Sequence, residues 1–402
     1  MVPDGWHMEM LKNIVDGGIK NGYSPNASEK VTGHWVLGLG ALGDSGLITT
    51  EIKPVEATQK ILNCCLNPGD FLVSRSNTPD KVGRSVLFKG EIDNCSYPDL
   101  MMRFRVNERI VDAGFIEAKL KSYLVRGYFK RCAAGSSSTM VKINKSIVEN
   151  TPLLLPPLFE QKKIARILST WDKAIETIEK LIGNSKAQKK SLMQQLLTGK
   201  RRLPRFSNKW KLVRLKQLLI EERTRNKDGA VVRILSVTNH SGFVLPEDQF
   251  SKRVASDNVS NYKVIRRGQF GYNPSRINVG SFARLDSYAI GILSPMYVIF
   301  SIDESKLNSD YFLAWMSSNE ARQRILGSVQ GSVRDSVNFN ALGSFPFKLP
   351  PIDEQLKIAK VLTVTDREMK NLQQKLDCLK QEKKSLMQQL LTGKRRVLVD
   401  SH

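Results

Sequence analysis

The twelve-residue stretch SLMQQLLTGKRR occurs twice in this sequence, at Ser191–Arg202 and again at Ser385–Arg396. Extending the match backwards at the same offset pairs residues 155–202 with residues 349–396 without a gap, and 25 of the 48 paired positions are identical. Both copies open with Leu-Pro-Pro and continue with a Glu-Gln pair, Glu160-Gln161 and Glu354-Gln355. A match of this length at one fixed offset indicates a tandem duplication.

Each copy predicts one long helix. The prolines of Leu-Pro-Pro favour an extended start, and Gly199 and Gly393 suit helix ends. Between them, apolar residues recur at intervals of three and four, which is the spacing of a coiled-coil seam. An ordinary core helix is the alternative, but about 38 residues without an interrupting proline favour a coiled coil. The pattern is weakest at Gly183–Lys189 in the first copy. The seam residues are Ile164, Leu168, Trp171, Ile175, Ile178, Ile182, Leu192 and Leu196, and in the second copy Ile358, Leu362, Met369, Leu372, Leu376, Leu379, Leu386 and Leu390.

The order along the chain predicts how the two helices run. Each would be about 57 Å long at 1.5 Å per residue. If they were parallel, residues 203–348 would have to carry the chain back over that whole length. An antiparallel pair needs no such return, so we expect two globular domains separated by two long antiparallel coiled-coil helices, related by a pseudo-twofold duplication.

The two globular regions are not copies of each other. Short β-branched runs at 85–88, 101–106, 231–237 and 296–302 alternate with Gly, Asn and Ser turns, which predicts two α+β domains, each built around a small sheet. The expected organisation is a first domain at 1–154, a helical spacer at 155–202, a second domain at 203–348 and a C-terminal helical spacer at 349–402. Similar helices with divergent domains are expected if the helices meet the same kind of partner twice and the domains bind two different targets.

Composition indicates the class of partner. The chain has 62 Lys and Arg against 39 Asp and Glu, a formal charge of +23, with 41% hydrophobic residues. Such an excess favours a polyanion, most simply nucleic acid, over a merely soluble basic protein. The five cysteines show no paired spacing, which argues against a zinc site or a disulfide framework. Without an 18-residue apolar run or a signal-like N-terminus, we expect a cytoplasmic protein that does not enter a membrane.

The repeated motif resembles a known family. Leu-Pro-Pro-x-x-Glu-Gln-x-x-Ile-Ala at 155–165 and 349–359, leading into helices that end Leu-Leu-Thr-Gly-Lys-Arg-Arg, is similar to the specificity subunit of type I restriction-modification systems, and the likeness covers the whole chain. The resemblance implies two target-recognition domains that bind an asymmetric, two-part sequence in double-stranded DNA. It also implies docking of two methyltransferase and two restriction (motor-nuclease) subunits, with no catalysis and no cofactor in this chain. S-adenosylmethionine, ATP and Mg would belong to the partner subunits.

In that arrangement the helices act as a ruler. DNA advances about 3.4 Å per base pair, so the helices limit the two contact patches to a separation of roughly 17 base pairs. Both patches must also lie on one face of the duplex.

Polar and basic loops are the candidates for reading DNA, because base edges are recognised by Arg, Lys, Asn and Gln side chains. The alternative is that they are solvated turns. Trp6 and Trp210 are predicted to be core residues, and Lys200–Arg202 and Lys394–Arg396 to interact with the helix dipole rather than with phosphates. The predicted DNA-binding residues are Arg75, Asn77, Arg84, Lys130, Arg131 and Ser136 in the first domain, and Asn273, Ser275, Arg276, Asn278, Arg284, Gln330, Ser332 and Arg334 in the second.

Two other functions compete with this one. Asp99, Glu117 and Lys119 match the PD-(D/E)xK nuclease spacing, but that site needs Glu and Lys on one strand, whereas residues 112–124 predict a helix. A coiled-coil scaffold that binds nucleic acid or protein is the other alternative. Gly38–Gly43 satisfies GxGxxG, yet a turn and a strand follow it instead of the helix that a dinucleotide site requires.

Overall fold

A computed structural model describes residues 2–137, 139–248, 258–330 and 336–397. The chain divides into two compact units, one formed by Met1–Lys180 with Gln374–His402 and the other by Leu181–Gln373. Each unit contains one globular region together with parts of both long helices. Both units mix strands and helices, which confirms two α+β domains.

The first unit is built from short strands and helices. Its strands are β1 (His7–Met10), β2 (Val15–Asn21), β3 (Trp35–Leu37), β4 (Ile52–Pro54), β5 (Phe71–Ser74), β6 (Ser76–Asn77), β7 (Ser85–Leu87), β8 (Cys95–Ser96), β9 (Met101–Val106), β10 (Ala134–Ser137), β11 (Met140–Lys142) and β12 (Pro152–Leu155). Its helices are α1 (Leu11–Ile14), α2 (Gln59–Asn63), α3 (Ala113–Lys121), α4 (Tyr123–Cys132) and α5 (Lys145–Glu149), followed by the first part of α6 (Leu158–Leu196).

A four-stranded antiparallel sheet of order β2-β9-β5-β7 forms the centre of this unit. Alternate residues of β5 point to opposite faces, so Phe71 and Val73 join the core under α3 and α4 while Leu72 joins a second core on the other side. That second core lies against the three-stranded sheet β4-β3-β8. Apolar residues on both sides explain why β5 reads as a continuous hydrophobic run.

The second unit repeats this plan with different residues. Its strands are β13 (Lys211–Arg214), β14 (Leu219–Glu222), β15 (Ser236–Thr238), β16 (Gly242–Val244), β17 (Lys263–Arg266), β18 (Phe270–Tyr272), β19 (Phe282–Arg284), β20 (Ile290–Leu293), β21 (Val298–Ile302) and β22 (Pro346–Leu349). Its helices are α7 (Ser309–Met316), α8 (Asn319–Gln330), α9 (Phe339–Gly343) and part of α10 (Ile352–Leu390), with short 3-10 helices at Leu215–Gln217, Pro246–Asp248 and Ile277–Val279.

The central sheet of the second unit has the order β14-β21-β18-β19, which matches the order in the first unit. Phe270 and Phe300 stack at 5.3 Å between ring centroids on one face, and Phe312 of α7 meets Phe270 edge-on. The turns before β5 and β18 contain Gly69 and Gly268, with φ of +94° and +86°. Only glycine adopts such angles without strain, so the same turn recurs in both units.

The two long helices each span 39 residues. Helix α6 continues through Gly183–Lys189, because a single exposed glycine costs a helix only about 1 kcal/mol. In the first unit Lys383 pairs with Asp172, and Lys380 pairs with Glu179 at 2.7 Å. The paired residue in α10 has a lower number as the residue in α6 has a higher one, so the helix segments of this unit run antiparallel.

In the described part of the chain, no helix is both long and apolar enough to cross a membrane.

Candidate nucleic-acid interface

Three residues far apart in sequence hold the first domain to the helices of its unit. The Glu160 carboxylate is 1% exposed and accepts hydrogen bonds from Arg396 Nε and Nη2 at 2.8 and 2.9 Å. It also accepts one from Trp6 Nε1 at 3.2 Å, and the Arg396 guanidinium lies over the Trp6 ring. We call Trp6, Glu160 and Arg396 the first clamp. Trp6 is 5% exposed, as predicted for a core residue, whereas Trp210 is only half-buried.

The second unit contains the matching set, Trp210, Glu354 and Arg202, which we call the second clamp. Glu354 is fully buried and accepts from Arg202 Nε and Nη2 at 2.6 and 2.7 Å, and from Trp210 Nε1 at 2.9 Å. In each unit the last arginine of one repeat binds the glutamate of the other repeat. These arginines are therefore bound to carboxylates, whereas the sequence favoured an interaction with the helix dipole.

The glutamine after each clamp glutamate positions a helix of the adjoining domain. Gln161 Oε1 accepts from the backbone N–H of Asp112, the residue that caps α3, at 3.0 Å, and its Nε2 donates to the carbonyl of Pro156. Gln355 makes the same two contacts with Asn308, which caps α7, and with Pro350. The Leu-Pro-Pro-x-x-Glu-Gln motif is thus a structural device that fixes each domain on its helix.

The candidate DNA-reading loops of the first domain lie next to each other. Strand β6 pairs with β11, which pairs with β10, and the backbone N–H of Ile143 donates to the carbonyl of Arg75 at 2.9 Å. This small sheet joins the predicted loop at Arg75 and Asn77 to the later loop that contains Ser136. Helix α4 ends immediately before β10, so Lys130 and Arg131 lie at the same edge.

Not all of the predicted side chains of this domain are free to contact DNA. Asn77 is 5% exposed, and its Nδ2 is directed at the carbonyl of Leu39. Arg84 donates to Asp44 at 2.7 Å, and Arg75 donates to the carbonyl of Asp99. Lys130 and Arg131 are exposed. The side chain of Ser136 lies outside the described part of the structure.

The second domain contains the equivalent backbone hydrogen bond. The N–H of Val337 donates to the carbonyl of Pro274 at 3.0 Å, as Ile143 does to Arg75, and Val337 is fully buried. This hydrogen bond joins the loop at Asn273 to the segment that follows the later predicted loop of this domain. Of that late loop, Ser332 and Arg334 lie outside the described residues, as does the side chain of Gln330 at the end of α8.

The remaining predicted residues of the second domain differ in exposure. Ser275 and Arg276 are exposed, and Asn278 is half-buried. The Asn273 side chain accepts from the N–H of Ser275 and so shapes the turn. Arg284 is bound to two carboxylates, Asp286 and Asp310, each at 2.7 Å.

One exposed cation at this surface was missed by the sequence analysis. Lys142 lies on β11, with Ala134 and Ser76 as its cross-strand neighbours. Alternation along Met140–Lys142, with exposed ends and a half-buried Val141, places Lys142 on the open face of the small sheet. The period-two pattern was the available signal, but three residues are too few to reveal a strand.

The residues of the nuclease alternative do not converge. Glu117 and Lys119 lie on helix α3, and Glu117 pairs with Lys121 at 2.7 Å. Lys119 is buried and donates to the carbonyl of Leu391 at 2.6 Å, while burial lowers its pKa to about 8. Asp99 accepts a hydrogen bond from Ser24. Within the described ranges, no group of three or more His, Cys, Asp or Glu residues is arranged to hold a metal ion.

Comparison with known proteins agrees with this framework. Residues 3–184 and 275–381 match the family described as "Type I restriction modification DNA specificity domain". The chain is 25% identical over 419 residues to the protein named as the MjaX type I restriction enzyme specificity subunit of Methanocaldococcus jannaschii, covering 98% of this chain and 95% of that one. It is 28% identical over 182 residues to the EcoKI specificity subunit of Escherichia coli K12, covering 44% and 39% of the two chains.

The crystal structure of the type I restriction-modification S subunit from M. genitalium has a similar fold, with a TM-score of 0.57 at 12% identity, over 97% of this chain and 96% of that one. The family match covers more than half of the sequence. The chain therefore belongs to the type I restriction-modification DNA specificity family.

Proposed function

We propose that this chain is the DNA-reading subunit of a type I restriction-modification complex, and that it recognises an asymmetric, two-part target. The first domain would read one half-site through the sheet β10-β11-β6 and the end of α4. The second would read the other through the loop around Arg276. The two loop sets differ in sequence, so the two half-sites would differ as well.

The single observation that carries the proposal is the pair of matching clamps. Trp6, Glu160 and Arg396 hold one domain in the way that Trp210, Glu354 and Arg202 hold the other. A protein that recognises two different DNA sequences in a fixed arrangement needs two different sets of binding loops, and it can attach both domains to its helices by the same contacts. A nuclease or a passive scaffold gives no reason for this combination.

The proposal extends to the helices and the partners. We propose that α6 and α10 form an antiparallel coiled coil, derived from a pseudo-twofold duplication, which sets the spacing of the half-sites and docks two methyltransferase and two restriction subunits. The chain would work in the cytoplasm and supply recognition without catalysis. S-adenosylmethionine, ATP and Mg would be bound by the partner subunits.

The direct test is selection of targets from a random duplex pool by the purified complex of this chain with its methyltransferase subunits. We expect a split motif with a fixed spacer. Replacing residues 203–348 by the corresponding domain of a relative should change one half of the motif and leave the other half and the spacer unchanged. A change in both halves, or enrichment of no motif by an intact complex, would reject the two-reader proposal.

A further inference from the structure

A cleft of about 950 Å³ in the first unit lies beside the candidate interface, between helix α4 and the C-terminal part of α10. Two carboxylates, Asp44 and Asp172, line it. Six lysines also line it: Lys121, Lys130, Lys380, Lys383, Lys384 and Lys394. The lining therefore has a large excess of positive charge.

Ion pairs neutralise only half of these lysines. Lys121 pairs with Glu117, Lys380 with Glu179, and Lys383 with Asp172. The other three, Lys130, Lys384 and Lys394, are exposed and have no acidic partner among the residues that the structure describes. Three uncompensated ammonium groups around one concave surface favour an anionic ligand.

The cleft continues the candidate interface. Lys130 lies two residues before the end of α4, and α4 leads directly into β10 of the sheet that carries the predicted DNA-reading loops. Asp44, on the cleft wall, is bound to Arg84 of the same loop region. A duplex that lies on this sheet can therefore extend its backbone along the lysines of the cleft.

The second unit keeps part of this positive charge. Ser122 caps α4 and Ser318 caps the start of α8, so these two helices match residue by residue. On that match the place of Lys130 is taken by Leu326. The helical repeat keeps counterparts of the other two lysines, since Lys190 and Lys200 stand at the positions of Lys384 and Lys394. Of the three lysines without an acidic partner in the described structure, Lys130 alone has no lysine at the matching position of the second unit.

We infer that this cleft binds backbone phosphates of the DNA that flanks the half-site read by the first domain. This inference rests on the proposed function. Lysine ammonium groups bind phosphates as point charges without reading sequence, so the cleft would anchor the duplex regardless of its bases. Because Leu326 takes the place of Lys130 in the second unit, the footprint on DNA should extend farther on the side of the first domain.

A protein segment is the competing occupant, since Tyr123 and Leu124 are 80% and 57% exposed at the rim. The number of free lysines and the continuity with the DNA-reading sheet favour DNA. Phosphate binding needs neither apolar side chain, whereas a docked protein segment would bury both. The two occupants therefore respond differently to substitution of Tyr123 and Leu124.

The test uses the complex of the full chain with its methyltransferase subunits and two duplexes, one with the selected target and one with the target scrambled. Neutralising Lys130, Lys384 and Lys394 with glutamine should make the negative slope of log K against log salt shallower on both duplexes. The expected change is about 0.9 for each lost contact, so about 2–3 in all. At low salt, binding should weaken at least tenfold. The control changes Lys209, Lys211 and Lys216 to glutamine, which removes the same charge from exposed positions outside the helical repeat and should leave the slope unchanged.

Phosphate-ethylation interference on the target duplex gives an independent readout. The wild-type complex should show extra interfering phosphates on the side of the first half-site, and the triple variant should lose them. An unchanged slope with target preference retained would overturn the inference and leave the proposed function intact. Subunit assembly that fails in Tyr123→Ser/Leu124→Ser, with the slope unchanged in the lysine variant, would assign the cleft to a protein. Absence of target preference in the wild-type complex would reject the proposed function itself.

Discussion

Replacing Arg202 by methionine tests whether the second clamp holds the second domain. In the native structure the fully buried Glu354 carboxylate receives two hydrogen bonds from Arg202 and one from Trp210. Without the arginine, the carboxylate stays buried with Trp210 as its remaining clamp partner. Breaking a buried ion pair in this way costs about 3–5 kcal/mol. The Arg202 side chain is 24% exposed, so water can replace part of the contact, and we expect the lower end, about 3 kcal/mol.

Differential scanning calorimetry of the full chain measures this loss. For a region of the second unit's size, about 3 kcal/mol lowers the unfolding temperature by roughly 6–12 °C. Arg201→Met, one position away and exposed, is the control and should change stability by less than about 0.5 kcal/mol. Arg396→Met should cost less than Arg202→Met, because the Arg396 side chain is 44% exposed.

A double-mutant cycle separates the pair from the rest of the clamp. Combining Arg202→Met with Glu354→Gln should cost less than the sum of the single changes by at least about 1 kcal/mol, because the glutamine no longer buries an unpaired charge. If the two changes simply add, or if Arg202→Met is as harmless as Arg201→Met, the clamp does not hold the domain and the structural explanation of the repeat is wrong.

Three further predictions concern Lys119 and Gly83 in the first domain and Arg276 in the second. Lys119 has a folded pKa of about 8, below its ordinary 10.5, so the unfolded chain binds more protons between these values. Wild-type stability relative to Lys119→Met, measured by urea unfolding, should therefore rise by about 2 kcal/mol between pH 8 and about 10, and a flat difference would contradict this. Gly83 has a φ of +68°, and an added Cβ would lie 2.6 Å from the Phe129 ring. Gly83→Ala should destabilise the domain by more than about 2 kcal/mol in the same assay, whereas Gly183→Ala, in open space on α6, should be neutral or stabilising. Arg276→Ala should weaken binding of the selected target by about 1–3 kcal/mol in fluorescence anisotropy without lowering the unfolding temperature, and an unchanged affinity would remove Arg276 from the reader.

Local pattern was enough to predict the helices and much of the sheets. The apolar seam and the flanking Pro and Gly residues predicted two long helices, and the structure has them at Leu158–Leu196 and Ile352–Leu390. The predicted run at 101–106 coincides with β9. The run at 231–237 was placed too early, since β15 begins only at Ser236. There the β-branched residues before it lie in an irregular segment, which local propensity cannot distinguish from a strand.

The clamps could not have been predicted from local pattern. Glu160 and Arg396 are 236 residues apart, and nothing in either neighbourhood reveals the other. The repeat showed that these residues are constrained, and only the folded chain shows why.

The exposure and pairing of the candidate DNA-binding side chains were predicted less well than the framework. Asn77 looks like a loop residue in the sequence Ser-Arg-Ser-Asn, but pairing of β6 with β11 buries it. Arg284 carries the right charge, but two aspartates already bind it. Long-range strand pairing and ion pairing decide which polar side chains remain free, and neither is visible in the local sequence.

A map of adenine methylation by long-read sequencing, in cells that express the methyltransferase subunit with and without this chain, shows directly whether this chain reads the DNA. We expect one split, asymmetric motif that appears only when both proteins are present. Methylation that is absent although the two proteins co-purify, or that is identical without this chain, would contradict the claim that this chain reads the DNA.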